Sequence, residues 1–263
     1  MGLTLGLIVS PAAGAFLVEI YGWREAFWAI SAIAAVTACL SLVILPSGKA
    51  KAPNAAVQAH PQLHLALRPG VLPAIGMMVL GLGVAIGTYA IVGELLRARY
   101  DLPTGHIGLI MAFFGLLTVV GNLLVSPVFN LLKEAPKVIS AGMILVGLGI
   151  GTVTLTGNLP YPVFLLAGAF WLIGGGFAAP ALQVFIANLA PDHRGLLLAL
   201  GSSGLNLGIA MMTILEGWLF ASMGREIIGI MAVAFIAVSV MWLLRSPAKP
   251  GANSPELPGE EIA

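Results

Sequence analysis

Residues 204–208, Gly204-Leu205-Asn206-Leu207-Gly208, restate with one change the stretch Gly2-Leu3-Thr4-Leu5-Gly6 near the start of the chain. The offset is 202, and at that offset Leu17 falls on Leu219 and Gly22 on Gly224. Shifted by one, Arg24-Glu25 falls on Arg225-Glu226 and Pro46 on Pro247. What lies between the two copies decides the fold. The chain has 263 residues, of which 59% are hydrophobic and 9% charged, whereas soluble domains run near ~25% charged. Its mean hydropathy is +1.02. So few charges cannot cover a soluble surface, and the intervening sequence reads as membrane spans of about 20 apolar residues each.

Eight segments qualify: Leu3–Val18, Ala26–Leu45, Val71–Gly93, Ile107–Leu132, Val138–Leu155, Pro162–Leu189, Leu196–Leu215 and Ile227–Leu244. Continuous runs of this length exclude barrel strands, which alternate over only ~10 residues. The expected fold is an all-α membrane protein with about eight transmembrane helices. The repeat equates the first pair of segments with the last pair. Six helices separate the end of one copy from the end of the next, so residues 71–245 are expected to form a complete six-helix unit. Residues 1–45 are then the last two helices of an earlier unit, whose first four helices lie outside this sequence. Residues 46–70 form a linker, and 246–263 a polar, Pro- and Gly-rich tail of a composition that stays disordered.

Alternate loops carry unequal numbers of Lys and Arg, which sets orientation. One side holds Lys49, Lys51, Arg68, Lys133, Lys137, Arg194, Arg245 and Lys249; the other holds Arg24, Arg97, Arg99 and Arg225. The first group is expected to be cytoplasmic, as are both termini, in a cell (inner) membrane. Arg24 is the first basic residue, so the start lacks the positive region of a signal peptide and reads as a retained helix. The formal charge of +1 leaves no footprint for nucleic acid. Cys39, the one cysteine, cannot form an internal disulfide.

Two halves of six helices in one orientation, each built of inverted repeats, is a transporter architecture. Gly6-Leu7-Ile8-Val9-Ser10-Pro11-Ala12-Ala13-Gly14-Ala15 resembles the fifth-helix antiporter motif G-x-x-x-G-P-x-x-G-G of the major facilitator superfamily, departing at Ser10 and Ala15. Gly22-Trp23-Arg24 and Phe27 are similar to that family's link into helix six. Ala190-Pro191-Asp192-His193-Arg194-Gly195, with Ala199 to Ala210 beyond, resembles helices ten to eleven of its proton-coupled drug and metabolite exporters. The resemblance covers essentially the whole chain, while the family's loop motif after helix two and its helix-four arginine motif fall outside it. It implies substrate binding near the midplane between two halves that rock, with helices three, six, nine and twelve as outer supports.

Ionisable groups inside a membrane are costly, about 2.5–3.5 kcal/mol at mid-helix, and face cavities or partners. The second, fifth and eighth segments contain no Asp, Glu, Asn, Gln, His, Lys or Arg, and these are the positions that the resemblance makes outer supports. The other segments of the six-helix unit carry Glu94, Asn122, Gln183, Asn206 and Glu216 on them or at their ends. Glu94 stands three residues before Arg97 and reads either as a surface ion pair or as a protonatable group in a vestibule. Glu216 has no cation nearby in sequence and ranks above Glu94 as a proton or cation site; snorkelling to the interface is its alternative. Glu19 abuts a loop and reads as solvated. Asn122, Gln183 and Asn206 can bind substrate or join helices. Tyr89 and Trp171 can meet a lipophilic cation or simply pack.

Gly174-Gly175-Gly176 with Pro180, and Pro11 with Gly14, mark helices able to break or bend, as cavity-lining transporter helices do. Gly-x-x-x-Gly pairs start at Gly2, Gly83, Gly147 and Gly204, but 33 glycines predict about four such pairs by chance, so the motif is uninformative here. Enzyme readings fail. Gly201-Ser202-Ser203-Gly204 resembles a G-x-S-G nucleophile site, yet no histidine follows His193 to act as base. His60 and His64 have metal spacing but sit in the linker without an acidic or cysteine partner, and there is no P-loop. The reading is a secondary transporter for small organic molecules, with protons as coupling ion, the bilayer as its medium, no cofactor, and Arg194 and Gly195 in a cytoplasmic turn. The alternative is a truncated or structural membrane subunit without transport of its own.

Overall fold

The computed structural model describes residues 13–44 and 70–246. The expectations for Gly2–Gly6, Ser10, Pro11, the linker and the tail fall outside the described residues. Within them the chain is helical throughout. Helix α1 covers 13–21, α2 is Trp23–Ile44, α3 is Val71–Tyr100, α4 is Thr104–Leu123, α5 is Val125–Leu132, α6 is Ala135–Leu155 and α7 is Tyr161–Leu189. After a short 3-10 turn, Pro191–His193, come α8, Arg194–Met223, and α9, Arg225–Arg245. Seven helices among the described residues are long and apolar enough to cross a membrane, which agrees with a count of about eight.

Three segments differ by more than a helical turn from those read in the sequence. α3 continues past Gly93 to Tyr100 and ends on Asp101 in the left-handed region, φ 51. α8 continues past Leu215 to Met223, because nothing in Glu216–Met223 interrupts it before Gly224. The expected span 107–132 is two helices meeting at Leu124. Pro127 supplies the cause: it has no N–H for the carbonyl of Leu123, and its ring displaces that carbonyl. Pro180 stands inside α7, which nevertheless runs unbroken.

Helices in lipid associate through close backbone approach at small residues, and glycines make the crossings here. A Cβ on Gly142 of α6 would stand 2.6 Å from the Gly174 carbonyl oxygen of α7, and one on Gly174 would stand 2.6 Å from that of Gly142. A Cβ on Gly176 would stand 2.9 Å from the Cα of Gly121 in α4. So α7 is clasped by α6 on one side and α4 on the other; α6 also packs on α9, and α3 on α8. Gly174 and Gly176, noted in the sequence as points where α7 could bend, serve as packing notches. By contrast α2 buries only Ala26.

The repeat is visible in the backbone. Gly22 and Gly224 both take positive φ, 99° and 86°, and both are approached by the acid of the following turn, Glu25 and Glu226.

The turns at 101–103, 156–160 and 224 gather at one end. Arg99 donates to the carbonyls of Val153 (3.0 Å) and Thr156 (2.8 Å), Tyr100 to that of Leu159 (2.7 Å) and Arg225 to that of Gly157 (3.3 Å). Charge-assisted bonds of this kind are worth about 1.5–3 kcal/mol, less where water competes. Arg99→Ala is therefore expected to destabilise the helix bundle by about 1 kcal/mol or more in thermal unfolding. Lys137→Ala, which breaks only the exposed Lys137–Glu134 pair, should change stability by less than ~0.5 kcal/mol.

Candidate functional site

On α8, Gly201, Gly208, Met212, Glu216 and Leu219 are buried, and their spacing of three, four and seven residues puts them on one helix face. That face packs on α3. The approach is close because both helices carry glycines where they cross. A Cβ on Gly83 would stand 2.9 Å from the backbone of Gly208, and one on Gly208 would stand 2.8 Å from the Cα of Val79 and run into its carbonyl oxygen. Val79 lies in a π-helical turn, Met77–Leu82, within α3. The seam joins the Gly-x-x-x-Gly pairs starting at Gly83 and Gly204, which a frequency argument alone had set aside.

Glu216 sits at the end of this seam with none of its surface exposed. Among the described residues it is the only Asp, Glu, Lys, Arg or His that is buried. Its Oε1 lies 2.9 Å from Oγ1 of Thr88, itself fully buried on α3. Its Oε2 has no hydrogen-bond partner and lies over Gly87, where a Cβ would come within 2.9 Å of it. The ion pairs among the described residues, Arg97–Glu94, Lys137–Glu134 and Arg225–Glu226, do not involve Glu216. A carboxylate enclosed this way lacks a counter-charge, and an unpaired charge in such surroundings is expensive. Snorkelling, the alternative read from the sequence, does not occur.

The remaining residues singled out in the sequence lie apart from Glu216. Glu94 is exposed and makes the i, i+3 pair with Arg97 at 3.5 Å. Gln183 and Asn206 are exposed, the latter donating from Nδ2 to the carbonyl of Ser202 at 2.9 Å. Asn122 is half-buried in the last turn of α4. Tyr89 and Trp171 do come together, with rings edge to face at 6.1 Å. The Tyr89 hydroxyl donates to the carbonyl of Met111 at 3.3 Å, so Tyr89 joins α3 to α4 and α7 while its neighbour Thr88 faces α8. Nothing crowds a Cβ at Gly14 or Gly195. Gly201 and Gly204, flanking the two serines, receive Ile186, Ile75 and Val79 at 3.3–3.5 Å, the close helix approach that small residues permit.

The sequence does not single out Thr88, and it marks Gly87 only as the second glycine of a Gly-x-x-x-Gly pair. Their only sequence signal is a glycine pair on each helix: Thr88 directly follows the pair on α3, and Glu216 lies eight residues beyond the pair on α8.

Residues 73–261 match the family described as Major Facilitator Superfamily. Among similar proteins are a "Probable sugar efflux transporter" of Helicobacter pylori (strain HPAG1), 25% identical over 243 residues, and another of Pasteurella multocida (strain Pm70), 24% identical over 261 residues. These alignments cover 92% and 97% of this chain but 61% and 62% of the relatives. The "Uncharacterized MFS-type transporter YtbD" of Bacillus subtilis (strain 168) is 25% identical over 85% of this chain and 56% of its own length. The chain thus spans about three-fifths of the length of the curated relatives it matches.

Proposed function

The chain belongs to the major facilitator superfamily, and from that premise we propose that it forms part of a proton-coupled exporter of small organic molecules, with Glu216 as the proton-binding residue. The observation that carries this reading is the burial of Glu216 beside Thr88 with no cation paired to it. Two relatives named as probable sugar efflux transporters make small sugars the first substrates to try. Residues 71–245 act as the six-helix half, α1 and α2 as the end of the other half, and the solute passes near the midplane as the halves rock. Asn122, Gln183 and Asn206 are the polar groups offered to the solute, and the Tyr89–Trp171 pair is an aromatic contact at another level of the bundle. The end carrying Arg99 and Arg225 faces outward, which leaves both termini in the cytoplasm.

A proton suits Glu216 better than a metal cation. Hard cations gather six or more oxygens, whereas the Glu216 carboxyl meets one hydroxyl and then the carbon surface of Gly87. The test is reconstitution of the chain in liposomes with a panel of labelled sugars. Flux driven by an imposed pH gradient and indifferent to a sodium gradient is expected. Flux that follows sodium, or no flux under either gradient while a full-length relative transports in parallel, would sink the proposal.

A further inference from the structure

The Thr88 hydroxyl has one hydrogen and two acceptors in reach. Its Oγ1 lies 2.9 Å from the carbonyl oxygen of Val84 and 2.9 Å from Oε1 of Glu216. A carbonyl only accepts, and so does an ionised carboxylate. Both contacts can be full two-centre hydrogen bonds at once only when Oε1 carries a proton and donates it to Thr88, whose own hydrogen then goes to Val84; one hydrogen shared between them makes a weaker three-centre bond. When the carboxyl is ionised, the single hydrogen must choose, and a charged acceptor makes roughly twice as strong a bond as a neutral one.

We propose that Thr88 is the positioning residue for Glu216, and that its hydroxyl reverses the direction of their hydrogen bond as the carboxyl loses and regains its proton. In the protonated site the chain runs from Glu216 Oε1–H to Thr88 Oγ1, and from Thr88 Oγ1–H to Val84. On deprotonation the O–H bond of Oε1 breaks, its electron pair stays on the carboxylate, and water takes the proton. The Thr88 hydrogen then rotates from Val84 to Oε1. Val84 keeps its backbone bond within the helix, so the exchange leaves no buried carbonyl without a donor. Gly87 completes the arrangement. Oε2 has no partner in the site and lies where any side chain on Gly87 would collide with it, so Oε1 is the oxygen presented to Thr88.

Other charged groups on the elements packed around Glu216 are engaged elsewhere or stand at far helix ends, Arg194 at the start of α8 and Arg245 at the end of α9. On α3, Glu94 pairs with Arg97, Arg99 binds the carbonyls of Val153 and Thr156, and Tyr89 binds that of Met111. On α9, Arg225 pairs with Glu226. On α7, Tyr161 stacks on Tyr100. Thr88 is therefore the group through which the Glu216 proton is held.

This inference rests on Glu216 as a proton site, and its test separates the two. Infrared difference spectra of the purified chain in lipid, recorded across a pH series, should show a protonated-carboxyl C=O band that vanishes in Glu216→Gln. Thr88→Val keeps the shape of the side chain but has no hydroxyl; it should displace that band and shift the pH at which it disappears. Thr88→Ser, which keeps the hydroxyl, should restore both. A band that ignores Thr88→Val overturns the role of Thr88 and leaves Glu216 standing. Absence of any band lost in Glu216→Gln overturns both.

Discussion

Replacing Glu216 with glutamine is expected to abolish solute accumulation driven by a pH gradient, while movement of solute down its own gradient persists. Glutamine matches the neutral carboxylic acid in size and can still meet the Thr88 hydroxyl, so the seam between α3 and α8 is undisturbed. What it lacks is the ability to release and regain a proton. Coupling between two ligands is a free energy of about 1–3 kcal/mol, or 5- to 150-fold in affinity. Losing it should cut gradient-driven accumulation by roughly tenfold or more. Glu94→Gln, at an exposed pair with Arg97, should leave accumulation within about twofold of the wild type, since surface ion pairs of this kind contribute little. Equal loss in both variants, or in neither, would remove Glu216 from the coupling step. The pair of measurements is initial and steady-state uptake in the same liposomes.

Gly208→Val is expected to have the largest effect on stability. The contact that a Cβ meets at Gly208 is the backbone of Val79, at 2.8 Å from its Cα and closer still to its carbonyl oxygen. A side chain could swing aside, but a helix backbone cannot. Overpacking costs 1–3 kcal/mol in well-filled interiors, and a value of about 3 kcal/mol is expected here because α3 and α8 must separate along the seam. Separation also pulls Thr88 away from Glu216, so the infrared signature of that pair should vanish with the stability. Gly217, one residue beyond Glu216 on the same helix, has nothing within 4 Å of a Cβ. Gly217→Val should therefore be neutral within ~0.5 kcal/mol, as surface substitutions are. Thermal unfolding of both variants in the same detergent checks the contrast. Similar losses at the two positions would mean that the glycine seam does not hold the helices.

The spans were legible because apolar continuity is a local property of sequence, and insertion into lipid depends on little else. The missed break at Leu124 was also local. Pro127 lies four residues after Leu123, which is where a proline disrupts a helix. The environment of Glu216 was not local. A hydropathy boundary at Leu215 placed it at a helix end, while its burial follows from sharing a face with Gly208 and Met212 and from which helix that face meets. Counting Gly-x-x-x-Gly pairs had the same limit. Frequency shows that four are ordinary, but not that the pairs beginning at Gly83 and Gly204 face one another. Thr88 carries no mark of its own: Thr118 and Thr152 make the same bond to the carbonyl four residues back. Only the approach of Glu216 distinguishes it.

In the proposed cycle, movement of solute and movement of protons are one event at Glu216. Its most direct measurement reverses the usual experiment. Liposomes containing the chain and a trapped pH indicator are given a sugar gradient and no pH gradient. The expected result is a change in lumenal pH, with protons moving against the direction of sugar flow, present in the wild type and absent in Glu216→Gln. Sugar flow with an unchanging lumenal pH in the wild type would rule out coupling to protons.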